Sequence, residues 1–186
     1  MSNVNKSFLL VKPDAYEHLG KIVTMIEEYN FIIANVRMIR FANTQDVSSI
    51  IGSVTQSREE IEHVCSDLVV GFELVRDNAV DALNELVGHE TPVRAKQLNP
   101  KSIRAKFGRD QIRNAVYCSP DNGIAIQNIQ RFFDTPRAQT ALYTNCSCLL
   151  IKPHILKSRQ SGKILDRVLE AGFEISAMQL FHMERA

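Results

Sequence analysis

Residues 7–20 read SFLLVKPDAYEHLG, and the fold turns on this stretch because its pattern returns near the C-terminus. Four apolar residues, 8–11, end on Lys12-Pro13, and SCLLIKP at residues 147–153 repeats that run 140 positions later. Gly20-Lys21-Ile22 returns as Gly162-Lys163-Ile164, now 142 positions on. The segments IVTMIEEYNF (22–31) and FIIANVRMIRF (31–41) then match ILDRVLEAGF (164–173) and FEISAMQLFHM (173–183). A two-residue insertion near positions 157–160 reconciles the two offsets. Three matched elements in preserved order mark an internal repeat, and repeats change every later inference. The expected organisation is a complete unit over residues 1–137, followed over residues 138–186 by the β-α-β start of a second, cut at its second strand.

Within the complete unit, residues 7–12 form a short apolar run stopped by proline, the mark of a buried strand. After Gly20, the residues Ile22, Val23, Met25, Ile26 and Tyr29 share one face of a helix. Residues 31–41, rich in β-branched and aromatic side chains, read as a long strand. Short helices are expected at 45–51 and 57–65, where Ser57 and Glu60 make a capping box. A third strand spans 68–76, and a helix over 79–86 is closed by Gly88. Residues 89–113 turn polar and irregular. A short strand at 114–117 precedes a last helix, capped by Asp121 or Asn122, that carries Ile124, Ile126, Ile129, Phe132 and Phe133. This order is that of an α+β sandwich, not of an alternating parallel α/β fold.

Composition narrows the function classes. With 186 residues, 45 % of them apolar, the chain holds one domain and a surplus, and its core needs no disulfide or metal staple. Twenty-two basic residues against 21 acidic ones argue against a dedicated nucleic-acid binder. No apolar run approaches the length of a membrane-spanning helix, and MSNVNKSFLL lacks a secretory leader's pattern, so a cytoplasmic protein without membrane partners is expected. Cys65, Cys118, Cys146 and Cys148 then read as reduced thiols. Cys146-x-Cys148 lacks the spacing and the partner pair of a zinc site, and no metal site is expected. Near-neutrality conceals one local excess. Arg94, Lys96, Lys101, Arg104, Lys106, Arg109 and Arg113 stand against the single acid Asp110. Such a stretch suits a polyphosphate ligand, since arginine pairs bidentately with phosphate, although a solvated basic face has the same composition.

Three islands then combine: Leu10-Val11-Lys12-Pro13-Asp14, Ser102-Ile103-Arg104-Ala105-Lys106-Phe107-Gly108, and Arg113-Asn114-Ala115-Val116-Tyr117-Cys118-Ser119. In this order and spacing they resemble the nucleoside diphosphate kinase family over nearly all of the first 133 residues. The second copy, from Thr144 through Ile151-Lys152-Pro153-His154 to Ala171-Gly172-Phe173, resembles the junction of the family's tandem-domain (homologue seven) branch, which is linked to cilia, flagella and microtubules. The resemblance implies a ferredoxin-like βαββαβ sandwich with a four-stranded antiparallel sheet, assembly into homo-oligomers, and transfer of a γ-phosphate between nucleotides through a phosphohistidine. Mg²⁺ is implied with the nucleotide.

Carried over residue by residue, the resemblance makes Lys12, Thr91 and Arg104 phosphate contacts and Asn114 a ribose contact. At the position of the nucleophilic histidine stands Tyr117. Tyrosine is neutral at pH 7, and its phosphate ester is a far poorer phosphoryl donor than a phosphoimidazole. Other departures agree. The orienting glutamate is matched by Asn128, a phosphate arginine by Asn84, and the base-stacking aromatic falls near Ser57 or Arg58. Each loss of stacking or of an arginine weakens nucleotide affinity by about 1–3 kcal/mol. None of His18, His63, His89, His154 and His182 stands in the nucleophile's place, though His89 neighbours the basic loop. The expected function is a catalytically silent member that binds nucleoside di- or triphosphates weakly or serves in a microtubule or flagellar assembly. The competing expectation is an active kinase with a substitute nucleophile.

Overall fold

A computed structural model describes residues 4–52 and 57–182. Strand β1 (Val4–Val11) runs into a 3-10 turn, Pro13–His18, where Pro13 ends the strand by withholding an N–H from the ladder. Helix α1 (Leu19–Glu28) leads to β2 (Ile32–Arg40), and α2 (Thr44–Ile51) and α3 (Arg58–Cys65) follow. Strand β3 (Leu68–Asp77) leads to α4 (Ala79–Val87), then β4 (Val116–Cys118) to α7 (Asn122–Phe133), with α5 (Pro92–Leu98) and α6 (Ile103–Phe107) between. Last come α8 (Pro153–Lys157) and α9 (Ser161–Glu170).

The four strands form one antiparallel sheet in the order β2-β3-β1-β4. Alternation along β1 divides the core. Leu9 and Val11 face α1 and α4, whereas Phe8 and Leu10 face α2, α3 and α7. The α+β sandwich expected from the element order is therefore present, in ferredoxin-like form. Gly71 lets α7 lie close to the sheet, since a side chain there would overlap the Phe132 ring. Caps form as expected: Ser57 Oγ accepts from Glu60 N at 3.4 Å, and Asp121 Oδ1 from Ile124 N at 2.8 Å. Gly88 closes α4 at φ 82°, a conformation that favours glycine. Residues 89–113 are less irregular than expected. Pro92 starts α5 and Ala95 and Ile103 are buried, so local burial outweighs the polar composition.

The second copy differs more from expectation. Its helix forms as α9, but residues 147–153 are not a strand, and residues 173–182 contribute a single antiparallel bridge, Arg37 to Gln179. Met183, the last residue of the expected strand, lies outside the described residues. In the first copy, β1 is flanked by both β3 and β4; among the described residues, 147–153 pair with no strand. A strand without partners leaves its backbone to water.

What forms instead is a pseudo-two-fold contact. At the 142-residue offset, Gly20 matches Gly162 and Thr24 matches Asp166; Gly20 abuts the Asp166 backbone and Gly162 abuts Thr24. Met38 N donates to Met178 O at 2.8 Å, and Leu180 N to Val36 O at 3.1 Å. Offset 142 exchanges these two bonds and places the dyad at Arg37–Gln179. The second copy thus covers the open edge of β2, an arrangement that protects an exposed ladder.

Candidate functional site

Lys12 lies just beyond β1, and its backbone N donates to Ala115 O at 2.9 Å. Ala115 N donates in turn to Asp14 Oδ2 at 2.9 Å. Ala115 adopts φ 73° while Val116 N bonds Asn114 O at 2.9 Å, a strained γ-turn just before β4. Strain of this kind persists where surrounding bonds over-determine it, and it clusters at functional positions. Here it aims the Asn114 side chain inward. Asn114 Oδ1 accepts from Lys12 Nζ at 2.7 Å, while its Nδ2 donates to Glu90 O at 3.2 Å and Gln111 O at 3.1 Å.

Lys12 is buried, with 1 % of its side chain exposed, and its ammonium also bonds Ile112 O at 3.3 Å and pairs with the Glu60 carboxylate of α3. Burial pushes the Lys12 pKa below its ordinary value; Glu60 pulls it back up and the Arg104 charge lowers it. Arg104, also buried, sends Nη1 to Gly88 O at 3.0 Å and Nη2 to Val116 O at 3.1 Å. Thr91 sits apart as the N-cap of α5, its N donating to His89 Nδ1 at 3.1 Å and its side chain making no cap bond. Lys12 and Asn114 are thus in direct contact, Arg104 lies within electrostatic reach, and Thr91 is one residue from the Glu90 carbonyl that Asn114 grips. Glu60 is the member of this cluster that sequence reasoning missed. The capping box placed it on the first turn of α3, but no local pattern signals its pairing with a lysine 48 residues away.

Tyr117 stands opposite Leu10 across the β1–β4 ladder, in the core cluster of Phe8, Phe41 and Phe132. It is 3 % exposed, and its hydroxyl accepts from Asn128 Nδ2 at 2.8 Å. The same amide donates to Ser119 Oγ at 3.1 Å. An asparagine amide holds the phenol in place but takes no proton from it at neutral pH. The neighbouring Cys118 faces the other side of the sheet and donates to Asn84 Oδ1 at 3.2 Å. Burial pushes that thiol's pKa up, away from the reactive thiolate.

The nucleoside diphosphate kinase model matches residues 5–137. The chain belongs to that family. Proteins named nucleoside diphosphate kinase homolog 7 from Rattus norvegicus and Mus musculus are 35 % and 32 % identical to it over 191 aligned residues, covering all of this chain and 48 % of each relative. The chain therefore spans about half the length of those relatives. The crystal structure of the Aquifex aeolicus nucleoside diphosphate kinase is similar at a TM-score of 0.66 and 30 % identity, over 70 % of this chain and 95 % of that one.

Against this family frame, the histidines have structural partners or lie exposed. His63 Nε2 meets Asp14 Oδ1 at 2.8 Å, and His18 stacks on Phe107 with ring centroids 4.8 Å apart. His89 accepts from Thr91, and His154 and His182 are exposed. The basic stretch does not converge. Of its seven members Arg104 alone is buried, while Arg109 reaches Glu17 at 2.9 Å and Arg113 reaches Asp110 at 2.9 Å. On α5 and α6, Arg94, Lys96 and Lys106 are exposed where Ala95, Ile103 and Arg104 are buried. Among the described residues no group of three His, Cys, Asp or Glu side chains is placed to hold a metal ion. No helix among them is long and apolar enough to cross a membrane.

Proposed function

We propose that this chain is a nucleoside diphosphate kinase family domain that has lost phosphotransfer and is kept for weak nucleotide binding and for assembly. The observation that carries the reading is Tyr117 in the nucleophile's place, buried, with its hydroxyl accepting from Asn128. Phosphotransfer by this route needs an imidazole that attacks the γ-phosphate and later releases it. A phenol packed among phenylalanines does neither at a useful rate, and removing a covalent nucleophile takes away orders of magnitude. Lys12, Arg104, Asn114 and Thr91 are then the nucleotide contacts, and affinity is low because Ser57, Arg58 and Asn84 replace the stacking ring and a phosphate arginine. Asp14 and Glu60, the carboxylates at this cluster, are engaged by His63 and Lys12, so Mg²⁺ would arrive with the nucleotide's own phosphates. Residues 138–186 read as the start of a second domain of the same kind. By its resemblance to the tandem-domain branch, the chain would act in the cytoplasm beside microtubules or in a flagellum, as part of a homo-oligomer or a larger assembly.

The decisive experiment mixes the chain with γ-labelled ATP and Mg²⁺, quenches it in alkali, and looks for acid-labile phosphoprotein, alongside a coupled assay with a diphosphate acceptor. No labelled protein and no turnover above background are expected. Tyr117→His alone is expected to stay near background too, because Asn128 cannot orient and charge-stabilise the new imidazole as a carboxylate would. Turnover by the unmodified chain at rates typical of efficient enzymes would overturn the reading.

A further inference from the structure

We propose that Glu60 is a built-in occupant of the anion site made by Lys12 and Asn114, so that α3 closes the nucleotide site from within and a nucleoside diphosphate binds only by displacing it. This rests on the reading above that Lys12 and Asn114 are the phosphate and ribose contacts.

An ammonium has three donors, and Lys12 has three partners: the Glu60 carboxylate, Asn114 Oδ1 at 2.7 Å and Ile112 O at 3.3 Å. None is left for a phosphate. A buried ammonium needs an anion, because an uncompensated charge in a low-dielectric interior is strongly unfavourable. Two anions can therefore take turns at Lys12, a carboxylate from α3 or a phosphate from outside, but both cannot sit there together. Arg104 adds positive potential at the same point, which favours the ligand with the larger negative charge.

Helix α3 has the build of an element that can leave. It makes a second tie one turn on, where His63 Nε2 meets Asp14 Oδ1 at 2.8 Å. Residues 60 and 63 thus grip Lys12 and Asp14 from one helical face. Beneath these polar ties the helix is shallowly seated, with Val64 its one fully buried residue. By contrast α4, which backs the same strands from the other side, buries six residues of its nine. Displacing α3 sacrifices the ties to Lys12 and Asp14, a long Cys65 Sγ contact to Phe41 O, and the burial of Val64 with part of Ile61 and Cys65, and a bound phosphate replaces the tie to Lys12.

The test titrates ADP with Mg²⁺ into the full chain by calorimetry, comparing the unmodified protein with Glu60→Gln and His63→Ala. Glu60→Gln is expected to bind ADP about tenfold tighter or more, and His63→Ala a few-fold tighter, since each loses one tie that ADP must otherwise break. Adding Lys12→Met to Glu60→Gln should abolish the gain, which shows that it runs through the ammonium. Hydrogen exchange supplies a readout that needs no variant: saturating ADP should speed exchange over residues 58–65 of the unmodified chain. Equal or weaker binding by folded Glu60→Gln overturns the latch, as does ADP that binds while slowing or leaving unchanged the exchange of α3. Absence of binding by every variant at millimolar ADP overturns it as well. Failure of the parent reading looks different: it shows as phosphoryl transfer by the unmodified chain, or as no binding by any variant, whereas failure of the latch alone shows as binding that Glu60→Gln does not tighten.

Discussion

Leu9 and Leu149 occupy matched positions of the two copies, yet Leu9 is wholly buried and Leu149 is 60 % exposed. Phe31 and Phe173 repeat the contrast at 2 % and 63 %. Near-identical runs, SFLLVKP and SCLLIKP, become a central strand in one place and an extended coil in the other. The difference lies in the neighbours. β1 has β3 on one edge and β4 on the other, whereas among the described residues 147–153 lie beside no such pair of strands. Strand preference is chiefly a preference for a pleated, half-buried setting, so the same residues go unused where that setting is missing. Helix α9 does form, because it satisfies its own backbone and needs only one apolar face covered, which α1 supplies.

The sharpest way to break the comparison is to truncate the matched phenylalanines. Phe31→Ala should lose about 3–5 kcal/mol in a denaturant titration, and Phe173→Ala should stay within about 0.5 kcal/mol. Similar losses at both would mean that Phe173 is covered in solution. A middle-sized effect is expected at the helix crossing. Adding a side chain at either glycine forces α1 and α9 apart, so Gly20→Val and Gly162→Val should each weaken docking by about 1–3 kcal/mol. Limited proteolysis within residues 153–170 reads this out. Comparable sensitivity of the two variants supports the pseudo-dyad; sensitivity of only one denies it.

These contrasts also mark how far the sequence could be read. Period-two and period-3.6 patterns located all four strands of the first copy and the helices that cover them, because those signals depend on neighbours along the chain. The repeat located α9, whereas its crossing with α1 at Gly20 and Gly162 came only from the structure. Patterning could not foresee that residues 147–153 stay unpaired, since strand formation depends on which other strands are within reach. The family resemblance, carried by short motifs, assigned roles to Lys12, Arg104, Asn114 and Tyr117, and of these Lys12 and Asn114 meet. The pairing of Glu60 with Lys12, and the outward turn of six of the seven bases, are properties of tertiary packing that carry no local signature.

The smallest expected effect concerns the polar half of the same crossing. Glu27 is buried and caps the start of α9: its Oε1 accepts from Ser161 N at 3.0 Å and from the Ser161 hydroxyl, and its Oε2 accepts from Gly162 N at 3.1 Å. A carboxylate at a helix N-terminus satisfies orphan N–H groups and meets the positive end of the helix dipole. The position matched to Glu27 at offset 142 is Leu169, which packs against the apolar cluster around α1. The crossing is therefore symmetric in shape but not in charge. Glu27→Gln keeps the volume and one acceptor, removes the negative charge, and turns an NH₂ toward donors. It should weaken docking of α9 by about 1 kcal/mol, seen as a few-fold rise in protease sensitivity of residues 153–170 with the first copy's own melting little changed. An unchanged cleavage rate would mean that apolar contacts such as Leu165 against α1 hold the second copy alone, and that its capping acid is incidental to the contact.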